Sequence, residues 1–273
     1  MMDPLVITVA PNGARRGKAD HPAIPLTPAE IGIEAARCQE AGASMIHLHV
    51  RDAEGRHSLD PDLYRAAIAA VRKEAGSNLI VQVTTEAVGI FTPDQQIAAM
   101  QALQPEAFSV AVRELIPDAA SETEAAQFLK EQAERGVFVQ HILYDENDVR
   151  RFIDLLDREV IPRTRASGLF VLGRYTKGQQ SSPNDLLPFL NAWALDLPWS
   201  LCAFGCREAA CAITAACLGG HVRVGFENNL HLPDGSVAPD NAALVRGVAD
   251  VAKSLGLTVA TSEEARHVFA HEG

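Results

Sequence analysis

Residues 45–52 read MIHLHVRD, and the alternation within them decides the fold. Ile46, Leu48 and Val50 fall on one parity, His47, His49 and Arg51 on the other. Side chains two apart share a face of a strand. This strand therefore has one apolar face and one face bearing two imidazoles and a guanidinium. Other short β-rich runs flank it: LVITVA (5–10), LIVQVT (79–84), AFSVAV (107–112), VFVQHI (137–142), LFVLG (169–173), WSLCAF (199–204) and HVRVGF (221–226). Helical periodicity fills the intervals, starting near Thr27, Asp60, Thr92, Ser121, Asp145, Ser182, Arg207 and Asp240. TPAE and TPDQ each set a capping threonine before a proline at the first helical position. Glycines in EAGAS and SLGLT act as stops. Eight strand–helix repeats in 273 residues predict an α/β chain, a single-domain (β/α)8 TIM barrel over 1–273 with its site at the C-terminal ends of the strands. An open doubly wound sheet would want long unbroken apolar strands and a GxGxxG turn after the first one, and APNGARRG lacks that spacing.

Composition narrows the function. Hydrophobic content of 47% with 22% charged residues is globular, and a net charge of −11 argues against nucleic acid or an anionic membrane as partner. No apolar run is long enough to span a bilayer, and MMDPLVITVAPNGARR does not read as a secretory signal. The five cysteines form no CxxC pair, and Cys202, Cys206, Cys211 and Cys217 are spaced for no zinc knuckle. These features predict reduced thiols and a cytoplasmic protein.

Parity then locates the chemistry. If Ile46, Leu48 and Val50 face helices, His47, His49 and Arg51 point into the barrel. The same rule turns Gln82, Thr84 and Glu86 inward on the third strand, Ser109, Ala111 and Arg113 on the fourth, and Arg223, Gly225 and Glu227 on the eighth. Strands eight, one and two are neighbours in a closed barrel, so His47, His49 and Glu227 can converge as three ligands with an open fourth position. Polar packing explains an HxH pair equally well. Arg51 and Arg223 also read as ion-pair partners of inward carboxylates such as Glu86, and Glu86 as a base, a histidine's partner or a neutralising charge.

HPAIPLTPAEI, EAGASMIHLHVRD, LIVQVTTEAVG and LGGHVRVGFENNL together resemble the β-keto acid cleavage enzyme family from about Ile7 to Leu257. The resemblance implies a barrel holding zinc, or another divalent ion, through His47, His49 and Glu227. It implies a β-keto acid and acetyl-CoA as substrates, exchanged into acetoacetate and a new acyl-CoA by condensation and retro-Claisen cleavage. The arginine of the family's proton-abstracting Arg–Asp pair carries over as Arg223, and its strand-three hydroxyl as Thr84. A homotetramer is the assembly implied.

Three departures modify that expectation. The aspartate after the glutamate ligand is Asn228, whose amide cannot accept a proton as a carboxylate does; Glu86 is the replacement base expected. Arg15 stands where the family type has a glutamate for an amino group, so with Asn12 in PNGARR it predicts a substrate that is anionic or neutral. Arg113 and Glu114 replace small hydroxyls on the fourth strand and are expected to line the pocket. For CoA phosphates, Arg174 and Lys177 after strand six and Arg207 at the next helix start are the candidates. A metal-dependent hydrolase on the same fold, helped only by His141, and a catalytically altered metal-containing keto-acid binder are the alternatives.

Overall fold

The computed structural model describes residues 3–270, so the ends of the expected 1–273 domain, residues 1–2 and 271–273, lie outside it. Its barrel strands are β1 (Ile7–Val9), β2 (Met45–Leu48), β3 (Ile80–Thr84), β4 (Ala107–Ala111), β5 (Phe138–Leu143), β6 (Ala166–Leu172), β7 (Trp199–Ala203) and β8 (His221–Val224), and a separate antiparallel pair joins Val50–Arg51 to His57–Ser58. The barrel strands pair in parallel, each with the next and β8 with β1, closing the predicted barrel. The helices are α1 (Pro28–Ala41), α2 (Pro61–Ala75), α3 (Pro93–Leu103), α4 (Val112–Leu115), α5 (Glu122–Glu134), α6 (Glu146–Asp157), α7 (Leu187–Ala192), α8 (Glu208–Cys217), α9 (Asn241–Ser254) and α10 (Ser262–Phe269). None is long and apolar enough to cross a membrane.

Local chemistry sets the boundaries. Thr27 and Thr92 cap α1 and α3 in capping boxes with Glu30 and Gln95, each followed by proline in the first turn. Asp60, Asp145 and Asp240 accept from first-turn N–H groups of α2, α6 and α9. Gly42 ends α1 at φ +117°, a backbone that a side chain would strain.

Several features differ from the sequence reading. β6 begins at Ala166, three residues before the β-rich run, because the ladder with Val139–Leu143 holds Ala166–Gly168 extended. The helix expected from Ser182 is a 3-10 turn, Pro183–Leu186, before the short α7. β8 stops at Val224 rather than Phe226. Finally, α10 was not foreseen, although Thr261 and Glu264 form its capping box. It seals the N-terminal end of the barrel: Ala265 and Phe269 join Val6, Met45, Ile80, Ala107 and Phe138 in one apolar cluster. Phe269 stacks on Phe138 with ring centroids 4.2 Å apart.

Above this plug the barrel interior turns polar. His47 meets Gln82, Gln82 meets Gln140, and Gln140 meets Ser200 in a hydrogen-bonded row across the lumen. Higher still, Ala111, Ile142, Leu169, Val171, Cys202 and Phe204 form an apolar wall on the β4–β7 side. The opposite side, β8 through β3, carries the ionisable groups.

Candidate active site

His47 and His49 project from β2 and the residue that follows it, with their rings in edge contact, centroids 5.1 Å apart. Gln82 Nε2 donates to Gln140, so Gln82 Oε1 is an acceptor and His47 Nδ1–H donates to it at 2.8 Å. That bond fixes the tautomer and leaves His47 Nε2 as a bare lone pair. It lies 3.2 Å from His49 Nε2 and 3.7 Å from Glu227 Oε2, and His49 Nε2 is 3.5 Å from the same oxygen. Metal bonds of about 2.1 Å at tetrahedral angles separate neighbouring donors by roughly 3.4 Å. The three edges bracket that value. Burial, then the Arg223 charge, holds His47 well below the usual imidazole range, so it is neutral. Burial alone would raise the Glu227 carboxyl, but the Arg223 charge brings it well below the usual carboxylate range. Three potential ligand atoms thus face one point, with Glu227 Oε2 lacking a hydrogen-bond partner among the described residues. A divalent cation would satisfy this donor set.

Glu227 arrives by a different route from simple parity. β8 pairs regularly with β1 through Val9 and Val224, and Ala10 N–H donates to Val224 O. The next bond to Ala10 O comes from Glu227 N at 3.0 Å, one residue later than an even parallel ladder would place it. Gly225, at φ +140°, makes the bend; a Cβ there would stand 2.4 Å from Ala10 O. Gly13, at φ +62°, lets the β1 loop cross Glu227, whose Cγ would lie 2.6 Å from an added Cβ.

Arg223 sits beneath Glu227, its Nη2 3.5 Å from Glu227 Oε1 and 3.4 Å from Cys202 Sγ. Burial would lower its pKa, but Cys202 and Glu227 raise it, so the guanidinium stays charged. Its Nε and Nη1 have no hydrogen-bond partner among the described residues, although it lines the cavity with His47, Thr84, Glu86, Ile142, Tyr144 and Val171. Thr84 Oγ1 accepts from Glu86 N at 2.9 Å, leaving its proton free for a ligand. Glu86 stands between Arg174 Nη2 at 3.3 Å and His49 Nδ1 at 3.9 Å. Arg15, exposed, and Arg16, Arg174 and Gln179 ring the mouth, and Arg16 Nη1 donates to Phe226 O at 2.6 Å.

The other expected residues divide between the cavity and other tasks. Asn12 lines the mouth but spends its amide on backbone, donating to His49 O and Pro25 O at 3.0 Å and accepting from His49 N at 3.3 Å. It replaces the ladder where β2 ends. Arg51 donates to Gly13 O and secures the β1 loop. Arg113 is outside the cavity, behind Tyr144 and paired with Asp145 and Asp148. The chain has already turned into α4 at Val112, so strand parity no longer applies. Glu114 accepts from Ala87 N at 3.0 Å instead of lining the pocket. Arg207 is exposed at the start of α8 and bonded to Ser182, and Lys177 is exposed. Arg174, expected at CoA phosphates, reaches the cavity beside Glu86. His141 faces Phe152 of α6, ring centroids 4.9 Å apart, and not the lumen, so it offers nothing to a hydrolytic metal site. Asn228 is fully buried. Sequence reasoning missed Arg16, Phe204, Tyr144 and Glu208. The Arg15–Arg16 doublet was a usable signal; Glu208 at a helix start looks like an ordinary dipole partner.

Comparison with known proteins adds the decisive match: the model of the beta-keto acid cleavage enzyme family fits residues 4–270. The chain belongs to this family. It is 32% identical to a 3-keto-5-aminohexanoate cleavage enzyme of Fusobacterium nucleatum over 99% of both chains. A 3-oxoadipate:acetyl-CoA acetyltransferase of Cupriavidus necator is 29% identical, with 97% of this chain and 94% of that one aligned. Among solved structures, apo ObcA superposes with a TM-score of 0.73 at 16% identity, over 91% of this chain and 65% of that longer one; that likeness concerns the barrel.

Proposed function

We propose that this family member condenses a β-keto acid with acetyl-CoA and releases acetoacetate and a new acyl-CoA, at a zinc or other divalent centre held by His47, His49 and Glu227. The observation that carries the reading is the trio of converging lone pairs beside a buried, partly unbonded arginine in a half-apolar cavity. When bound, the ion would supply Lewis-acid stabilisation to the keto oxygen and carboxylate of the substrate. Arg223 offers its free N–H groups to the same developing negative charge. Glu86, at the cavity edge, takes the proton from the carbon between the two carbonyls. That carbon bonds to the acetyl carbonyl carbon, with Thr84 donating to the thioester oxygen. The CoA thiolate moves within the adduct to the original ketone carbon. The bond between that carbon and the former nucleophile breaks, and the proton returns there to complete acetoacetate.

The acyl chain lies against Ile142, Val171 and Phe204, and its far end meets Arg15 and Arg174 at the mouth. This arrangement favours a second carboxylate over an ammonium, and the acetyltransferase relative named for 3-oxoadipate points the same way. Arg207 and Lys177 on the rim receive the CoA phosphates. Purified protein given acetyl-CoA and 3-oxoadipate is expected to form acetoacetate and a new acyl-CoA, resolved by liquid chromatography with mass detection. Turnover of the keto acid without CoA consumption overturns the transferase reading. Faster turnover of 3-keto-5-aminohexanoate than of 3-oxoadipate overturns the role of Arg15.

A further inference from the structure

Glu208 is a carboxylate that the chemistry above does not use, and it is 2% exposed. It stands in the first turn of α8, behind the turn that carries Glu227. Its hydrogen-bond donors come from that turn: Gly225 N at 3.1 Å, Asn229 Nδ2 at 3.3 Å and Asn228 Nδ2 at 3.5 Å. Glu227 lies in the middle of the span those donors define. The backbone there has left the regular ladder, and side chains hold what a strand would otherwise hold. Glu208 takes Gly225 N–H, while Asn241 Oδ1 takes Phe226 N–H at 2.7 Å. Asn241 is in turn held by Glu34 of α1, with both its N–H groups bonded to Glu34 Oε1 at 2.9 and 3.0 Å. The ligand-bearing turn is thus gripped from two sides by buried carboxylates on different helices.

We propose that Glu208 is the positioning residue of the metal centre: by collecting the donors of Gly225, Asn228 and Asn229 on one carboxylate, it holds the Glu227 ligand in register with His47 and His49. The proposal rests on the metal-centre reading above. Partners of metal ligands commonly change metal affinity by about 10–100-fold when removed, and here the partner acts on the ligand's backbone turn. Burial raises the carboxyl's pKa, and the hydrogen bonds from Gly225, Asn229 and Asn228 oppose that rise by favouring the carboxylate. An amide of the same size keeps the packing of α8 but places an NH2 group where the turn presents donors.

The test strips the full-length protein of metal with a chelator and titrates zinc against a chromophoric competitor, with thermal melting of the stripped protein in parallel. Glu208→Gln is expected to weaken zinc binding by about tenfold or more while the stripped protein melts within a few degrees of wild type. Glu208→Gln that binds zinc as tightly as wild type overturns the proposal and leaves the metal centre standing. Wild-type protein that binds no zinc overturns both. Should Glu208→Gln fail to fold, Asn229→Ala decides, because it removes one donor and keeps the carboxylate: weakened zinc binding supports the proposal and unchanged affinity overturns it.

Discussion

The two mouths of the barrel are made by the same eight strands and opposite chemistry. At the N-terminal mouth, Val6, Met45, Ile80, Ala107 and Phe138 meet the apolar face of α10, and the one histidine beside them, His221, lies edge-on to Phe269 and accepts from Val6 N at 3.2 Å. At the C-terminal mouth the buried groups include His47, His49, Thr84 and Arg223, and atoms such as Arg223 Nη1, His49 Nδ1 and Glu227 Oε2 lack partners among the described residues. An unpartnered buried polar atom is destabilising by itself. One mouth therefore lowers the free energy of the fold, and the other holds groups at an energetic cost that an ion and substrate, once bound, would relieve. The polar row His47–Gln82–Gln140–Ser200 is the boundary between them.

Substitutions should separate the two mouths cleanly. His49→Ala is expected to have the largest effect, lowering kcat/KM on the order of 10^3-fold or more with loss of bound metal, since Lewis-acid stabilisation accounts for several kcal/mol. Metal analysis and kinetics read this, and a variant that keeps both metal and rate breaks the division. Glu86→Gln should lower kcat by about 10^2–10^4-fold while metal content stays unchanged; an unaltered rate would assign proton removal elsewhere. At the opposite mouth, Phe269→Ala should cost about 3–5 kcal/mol in denaturant unfolding yet leave kcat/KM near the wild-type value at low temperature. Arg15→Glu is expected to shift the preference between 3-oxoadipate and 3-keto-5-aminohexanoate by about tenfold toward the aminated acid, roughly 1.4 kcal/mol. Equal selectivity in both proteins would place Arg15 in solvent.

The smallest effect concerns acid stability. His141 is buried against Phe152 of α6, and burial, opposed by the nearby Ser167 backbone, lowers its pKa from 6.5 to about 4. Between those values the unfolded chain binds a proton that the folded one refuses, so stability is complete above about 6.5 and declines as pH falls toward 4. His141→Leu should make that decline shallower and leave turnover unchanged. Urea midpoints at pH 7 and pH 5 measure it, and an equally steep decline would shift the acid sensitivity to other groups.

Much of this architecture was legible in the chain. The caps at Thr27, Asp60, Thr92, Asp145 and Asp240 are local chemistry, and each helix begins where they stand. Parity placed His47, Gln82, Thr84, Ser109 and Arg223 inside the barrel, because period-two alternation holds for as long as a strand lasts. It failed where strands end. Arg113 had entered α4 and turned outward. Glu227 reached the site only because one extra residue at the β8 bend restored its aim.

From sequence alone came the closed barrel, the polarity of its inner face and the histidine pair, since each depends on spacing along one strand or on a helix-start motif. The tertiary structure alone decided that Asn12 serves backbone, that α10 closes the floor, and that Glu208, Asn241 and Glu34 hold the ligand turn. The physical reason is reach. A strand's alternation and a helix cap are settled within a few residues, whereas the bond between Asn241 and Glu34 joins groups 207 positions apart and exists only once the barrel has closed.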